Sequence, residues 1–220
     1  MNIAVLLPTR GILFTRTLSS LLRNVFGRSG GLQGGVGTDF IVSEGLKIPE
    51  AQNFLVEEGL KTDADAFLMI EEDNVLPDGA IEKMLETPGD IICIDYPVAN
   101  GYSTICRKGG KILWCGLGCT LIYRRVFETL SKPIFRTDQT LRITDLEKME
   151  YVLEDVPNKY GGHDILLGYY ANLAGFTISQ AKGFESSHLR SDMLGHNENN
   201  KGFRAIYQLD SVSKRQDYPA

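Results

Sequence analysis

Between residues 3 and 95, short apolar runs alternate with longer stretches of helical spacing, and this alternation restricts the folds open to the chain. Ile3 to Leu7 is a continuous apolar run ending in Pro8-Thr9-Arg10-Gly11, the pattern of a strand buried on both faces that runs into a loop. Thr15 to Phe26 places Leu18, Leu21, Leu22, Val25 and Phe26 at the spacing of an amphipathic helix. Asp39 to Ser43 reads as a second strand. Pro49 then stands at a favourable first-turn position for a helix through Phe54, Leu55 and Leu60. Ala66 to Ile70 is a third buried strand, Pro77-Asp78-Gly79 opens another helix with Asp78 as its expected N-cap, and Ile91 to Ile94 is a fourth strand. The order predicts an α/β fold with a mostly parallel central sheet and helices on both faces.

The second half is less regular. Ile112 to Tyr123 is apolar with two glycines, Arg124 to Leu130 is helical in pattern, and residues 134 to 160 read as polar and loop-like. Asp164 to Ala174 has a helical apolar side, with Gly175 as its stop. The expected organisation is one domain over residues 1–196 and a polar tail or lid over 197–220.

A net charge of −5 disfavours a nucleic-acid-binding surface without excluding one. The N-terminus has no basic leader, and no stretch approaches the ~18 apolar residues of a membrane span, so a cytoplasmic protein is expected. In that compartment Cys93, Cys106, Cys115 and Cys119 are expected as reduced, buried thiols. The spacing of Cys115 and Cys119 without a matching second pair argues against zinc.

The chemistry concentrates where the third strand runs straight into Glu71-Glu72-Asp73-Asn74. Open α/β sheets bind ligands outside the carboxyl ends of their strands. In an extended chain Glu71 and Asp73 would point to one face. Carboxylates crowded there repel one another unless a cation lies between them, and hard oxygen donors suit Mg²⁺ or Mn²⁺. The competing reading is a solvated acidic turn.

The stretch from Phe67 to Asp78 resembles the Asp-x-Asp region of family 2-type glycosyltransferases with the GT-A fold, although Glu71 stands where Asp is usual. Further segments match in the family's order. Leu7 to Gly11 resembles the loop that holds the nucleotide base. Ala51-Gln52-Asn53 resembles an Arg-Asn element, with Gln52 in place of Arg. Cys115 to Arg125 resembles the Gly-x-Gly strand and basic helix start beside the acceptor pocket. Gly161-Gly162-His163-Asp164 resembles the element that supplies the general base of inverting enzymes.

The resemblance implies a single Rossmann-related, nucleotide-sugar-binding domain. It would carry out metal-dependent, inverting transfer of a glycosyl group from a nucleoside-diphosphate sugar to an acceptor hydroxyl. Glu71, Asp73 and His188 would hold Mn²⁺ or Mg²⁺, and Asp164 would be the base. A carboxylate in a first helical turn is kept ionised by the helix N-terminus, as a base must be. Thr9, Arg10, Glu44, Asn53, Glu72 and Gly116 are candidate donor contacts, with Tyr96 and Trp114 as sugar-facing walls or core. The sequence leaves two other readings open, a sugar nucleotidyltransferase and a non-catalytic nucleotide- or glycan-binding module. Gly34-Gly35-Val36-Gly37-Thr38 lacks the Lys of a phosphate-binding Walker loop, and the glycine-dense segment from Gly27 to Gly37 is expected to be mobile. His196 has no assigned role.

Overall fold

Strands buried on both faces need apolar side chains at every position, and the unbroken runs supply them. In the computed structural model, which describes residues 1–26, 37–98, 102–145, 150–156, 162–193, 205–210 and 214–218, they become β1 (Ile3–Thr9), β3 (Ala66–Ile70) and β5 (Ile91–Asp95). The amphipathic stretches become α1 (Thr15–Phe26), α2 (Glu50–Gly59), α3 (Ala80–Glu86), α4 (Arg124–Thr129) and α5 (His163–Leu173). With β2 (Thr38–Glu44), β8 (Cys119–Tyr123) and β11 (Ile178–Glu185) they build a six-stranded sheet in the order β11-β5-β8-β3-β1-β2. β1 runs parallel to β2 and β3, and β11 parallel to β5, while β8 is antiparallel to both its neighbours.

The period-2 alternation sorts side chains into two cores. Ile3, Val5, Leu7, Leu68 and Ile70 meet Leu21 and Val25 of α1 and Ile81 and Met84 of α3. Ala4, Leu6, Phe67 and Met69 meet Leu55 and Val56 of α2, Phe127 of α4 and Leu167 of α5. The result is a mostly parallel sheet between two helical layers, as the sequence predicts.

Several local expectations are corrected. The residue before α3 is Gly79 in a left-handed conformation, with no side-chain cap; Asp78 instead pairs with Arg23 at 2.9 Å. Residues 134–160 are not simply a loop, because β9 (Gln139–Asp145) and β10 (Glu150–Asp155) form an antiparallel pair tied by Arg142 and Glu154. The segment after residue 196 contributes β13 (Ala205–Asp210), antiparallel to β12 (Ser187–Met193), and β14 (Lys214–Tyr218), parallel to β6 (Tyr102–Lys108). β6 and β7 (Lys111–Cys115) are joined by Gly109-Gly110, both at positive φ, as a two-residue hairpin turn with right-handed strand twist demands.

Other expectations hold. Gly175, at φ 87°, ends α5, and the Phe176 N–H donates to the Ala171 carbonyl. The four cysteines are buried free thiols. No helix among the described residues is long and apolar enough to cross a membrane. The Gly27–Val36 part of the glycine-dense segment, Gly161 and His196 lie outside the described residues.

Candidate functional site

β3 lies near the middle of the sheet, between β1 and β8, so residues 71–73 emerge at the carboxyl end of a central strand. The chain does not stay extended there. The Glu71 N–H donates to the Gly118 carbonyl, and the Asn74 N–H donates to the Glu71 carbonyl, both at 3.2 Å. This turn, rather than an extended strand, brings Glu71 and Asp73 together; their common face is as expected from sequence, and the extended backbone is corrected.

Beyond the turn, the two residues of β4 (Asn74–Val75) pair antiparallel with Ser187 and His188 of β12. The Leu189 N–H donates to the Asp73 carbonyl at 2.7 Å. That register sets His188 beside Asp73, and one ligand atom from each of Glu71, Asp73 and His188 falls within 4.8 Å of the others. The His188 Nδ1 lies 3.0 Å from the Pro97 carbonyl, which can only accept, so this nitrogen carries the proton. Nε2 then faces Asp73, 3.4 Å from its Oδ2. A carbonyl that fixes the tautomer in this way is the usual outer support of a metal-binding imidazole.

Electrostatics record the same crowding. Burial pushes the Glu71 carboxyl up to about 7, with the Asp73 charge adding to the shift and His188 opposing it. Burial disfavours the charged form of His188, but the hydrogen bond and charge of Asp73 outweigh it and raise its pKa. Two carboxylates and one oriented imidazole nitrogen form a donor set that fits Mn²⁺ well and Mg²⁺ acceptably.

Glu72 is buried and serves the first-strand loop. Its carboxylate accepts from the Thr9 hydroxyl at 2.9 Å, the Arg10 N–H at 2.8 Å and the Arg10 guanidinium. The Thr9 oxygen in turn accepts from the N–H groups of Gly11 and Ile12. Thr9 and Arg10 are thereby held on one wall of a cleft of about 1030 Å³, and Glu71, Asp73 and His188 lie in it as well. Its other wall is the turn from Gly45 to Glu50 between β2 and α2. Glu44 is exposed at the end of β2, beside Gly11.

Four expected contacts have other occupations. The Asn53 amide makes two hydrogen bonds to the backbone of Phe135, 82 positions away. Tyr96 is buried; its hydroxyl accepts from the Gly118 N–H at 2.9 Å, and its ring stands edge-to-face with His188, the ring centroids 5.7 Å apart. Gly116 and Gly118 lie behind the carboxylates rather than in the cleft. A Cβ on Gly116 would meet the Tyr96 hydroxyl at 2.5 Å, and one on Gly118 would meet Glu71 Oε2 at 2.8 Å. Trp114 is half-buried, with its backbone and Cβ against Gly168 of α5.

Asp164 lies in the first turn of α5, whose start carries no side-chain cap. Its Oδ1 accepts from the Ile165 N–H at 2.9 Å, and its charge raises the pKa of both Glu71 and Tyr96, so it acts on the cluster. The preceding His163 packs edge-on against Phe135, and burial lowers its pKa. Sequence reasoning missed Pro97, Lys47 and Thr137. Lys47 follows the second strand at its carboxyl end, a placement that could have flagged it. Neither Pro97 nor Thr137 carries a local signal.

Fold and site together define an open, mostly parallel α/β domain with a carboxylate–histidine cluster at the carboxyl end of a central strand. The chain is similar in structure to A197 from STIV, at 15% identity and a TM-score of 0.61 over 97% of each chain, a likeness of fold. It also overlaps the inositol-1-phosphate CTP transferase from T. maritima, at 12% identity and a TM-score of 0.42 over 89% of this chain and 73% of that one. No protein-family model matches the sequence, and no curated protein matches it.

Proposed function

We propose that the cleft binds a nucleoside-diphosphate sugar together with a divalent cation, and that the protein transfers the glycosyl group to an acceptor hydroxyl with inversion. The observation that carries this reading is the convergence of Glu71, Asp73 and His188 within a cleft at the carboxyl end of β3. The resemblance to family 2-type glycosyltransferases supports it from the sequence side.

Asp73, Glu71 and His188 would hold Mn²⁺ or Mg²⁺, which when bound supplies positive charge opposite a diphosphate leaving group. Pro97 keeps the proton on His188 Nδ1 and so leaves Nε2 available as a donor. Glu72 fixes Thr9 and Arg10 on the wall where phosphate or ribose contacts are needed. Asp164, in the first turn of α5, accepts the proton of the attacking hydroxyl.

The test is a screen of nucleoside-diphosphate sugars with Mn²⁺ or Mg²⁺ that follows release of nucleoside diphosphate. Release that needs the cation supports glycosyl transfer. Pyrophosphate released from a nucleoside triphosphate and a sugar phosphate would replace this reading with nucleotidyl transfer. Donor binding without turnover on any acceptor would leave a binding module.

A further inference from the structure

The six-stranded sheet ends in β11 on one side and β2 on the other, and the two edges are built differently. An edge strand presents unpaired N–H and C=O groups, and a protein that keeps such an edge to itself blunts it with lysine, proline or a bulge. β11 is blunted. It carries Lys182, Gly183 at φ 86°, and a register shift against β5 between Gln180 and Glu185. β2 has none of these devices. Its seven residues follow β1 in unbroken register and include neither lysine nor proline. Among the described residues, no strand pairs with its outer side.

One face of β2 is uncovered as well. Ile41 packs on the core that holds Leu55 and Val56 of α2, and Ser43, two residues on, is buried on the same face. Phe40 and Val42 take the opposite face, level with Val5 and Leu7 of β1, whose core includes Leu21 and Val25 of α1. Phe26 of α1 stacks on Phe40, the ring centroids 6.4 Å apart. Leu22 and Leu18 continue that stripe, one and two turns back along the helix. Phe26 is 68% exposed, Val42 50%, and Leu18, Leu22 and Phe40 about as much as Val42. By ordinary side-chain sizes the five leave roughly 400 Å² of apolar surface in water, a patch large enough to mark an interaction site. It is about half of the ~800 Å² that each partner buries in a standard interface, before the backbone edge of β2 is added.

We propose that a second copy of this chain docks here, its β2 antiparallel to this β2 across a two-fold axis, so that two six-stranded sheets join into one. The antiparallel register that uses all seven residues centres on Ile41. It sets Phe40 opposite Val42 of the second copy, and symmetry repeats the pair on the other side of the axis, an aromatic and β-branched match of the kind that stabilises antiparallel strands. It sets Asp39 opposite Ser43 and Glu44 opposite Thr38, so no carboxylate meets another across the seam. This self-complementarity selects a second copy over an unrelated strand. The row of open hydrogen-bonding groups selects a strand over a lipid surface. The inference is independent of the function proposed above.

The test is sedimentation velocity of the full chain from about 1 to about 100 µM. The native chain is expected to sediment at twice its 24.4 kDa, and Phe40→Lys as a folded monomer over the same range. A native chain that stays monomeric overturns the proposal; if that monomer binds vesicles of anionic phospholipid and Phe40→Lys does not, the face belongs to a lipid surface instead. A dimer that Phe40→Lys leaves intact overturns it too. Should Phe40→Lys not fold, a nitroxide on Glu44→Cys decides the matter, because the four native cysteines are buried and Glu44 is exposed. In the Ile41-centred register the two labelled positions lie six residues apart along the seam, about 20 Å at roughly 3.4 Å per residue. Pulsed electron paramagnetic resonance is expected to find the labels within about 35 Å of each other once their own length is allowed for. A longer separation, or no coupling at all, overturns the proposal.

Discussion

Glu71→Gln measures how far burial, with the Asp73 charge beside it, disfavours the ionised Glu71 carboxylate. Burial, with the Asp73 charge adding to it, raises the carboxyl of Glu71 from 4.5 to about 7 in the folded protein. A carboxyl raised in the folded state contributes stability that is fully present below its unfolded pKa and lost as pH rises through its folded one. At roughly 1.4 kcal/mol per pKa unit, the native chain should lose about 3 kcal/mol between pH 5 and pH 8 through this group alone. Glutamine keeps the shape and cannot ionise, so the variant escapes that loss. Denaturant unfolding in EDTA at the two pH values gives the comparison. The stability of Glu71→Gln relative to the native chain should grow by about 2–3 kcal/mol from pH 5 to pH 8, whatever constant offset the amide introduces. Adding Mn²⁺ at pH 8 should then stabilise the native chain more than the variant, since only the native chain offers the cation both carboxylates. A stability difference that does not change with pH would refute the argument that burial, with the Asp73 charge beside it, holds the Glu71 carboxyl above its ordinary range.

Asp73→Asn should weaken Mn²⁺ binding more than His188→Ala, because it removes one of the two carboxylates while His188→Ala leaves both; calorimetry with each variant orders them. Asp164→Asn should bind metal and donor nearly as the native chain does, yet turn over about 10²–10⁴-fold more slowly if the carboxylate is a base. Near-native turnover would leave Asp164 a structural role at the start of α5. Gly118→Ala inserts a methyl 2.8 Å from Glu71 Oε2 and should cost about 1–3 kcal/mol of stability, together with metal affinity.

The sheet was legible where strands are buried on both faces, because β1, β3 and β5 then leave unbroken apolar runs. The exposed ribbons were not. β9 interleaves Leu141 and Ile143 with polar residues over only a few positions, β10 sets just Tyr151-Val152-Leu153 between charged ends, and β4 is two residues long, below what periodicity can resolve. Within the site, strand position identified the acidic group but could not divide Glu71, Glu72 and Asp73 among roles. The division depends on a turn whose hydrogen bonds go to Gly118, a residue distant in sequence. The Asn53 amide was a candidate ligand contact only until its backbone partner, Phe135, came into view. Pro97 acts through a carbonyl that every residue possesses, so no side-chain pattern could announce it.

The short β4–β12 pairing has a further consequence. The Ser186 hydroxyl donates to the Asn74 Oδ1 at 3.3 Å and to the Val75 carbonyl at 2.9 Å at this junction, and His188 follows two residues later. A cation shared by Glu71, Asp73 and His188 would act as a rivet, fastening the end of the third strand to the ribbon that leads into the C-terminal region. Amide protons of residues 187–189 would then exchange more slowly when the rivet is in place. The backbone of β12 would thus report whether the cation is bound, independently of any turnover assay.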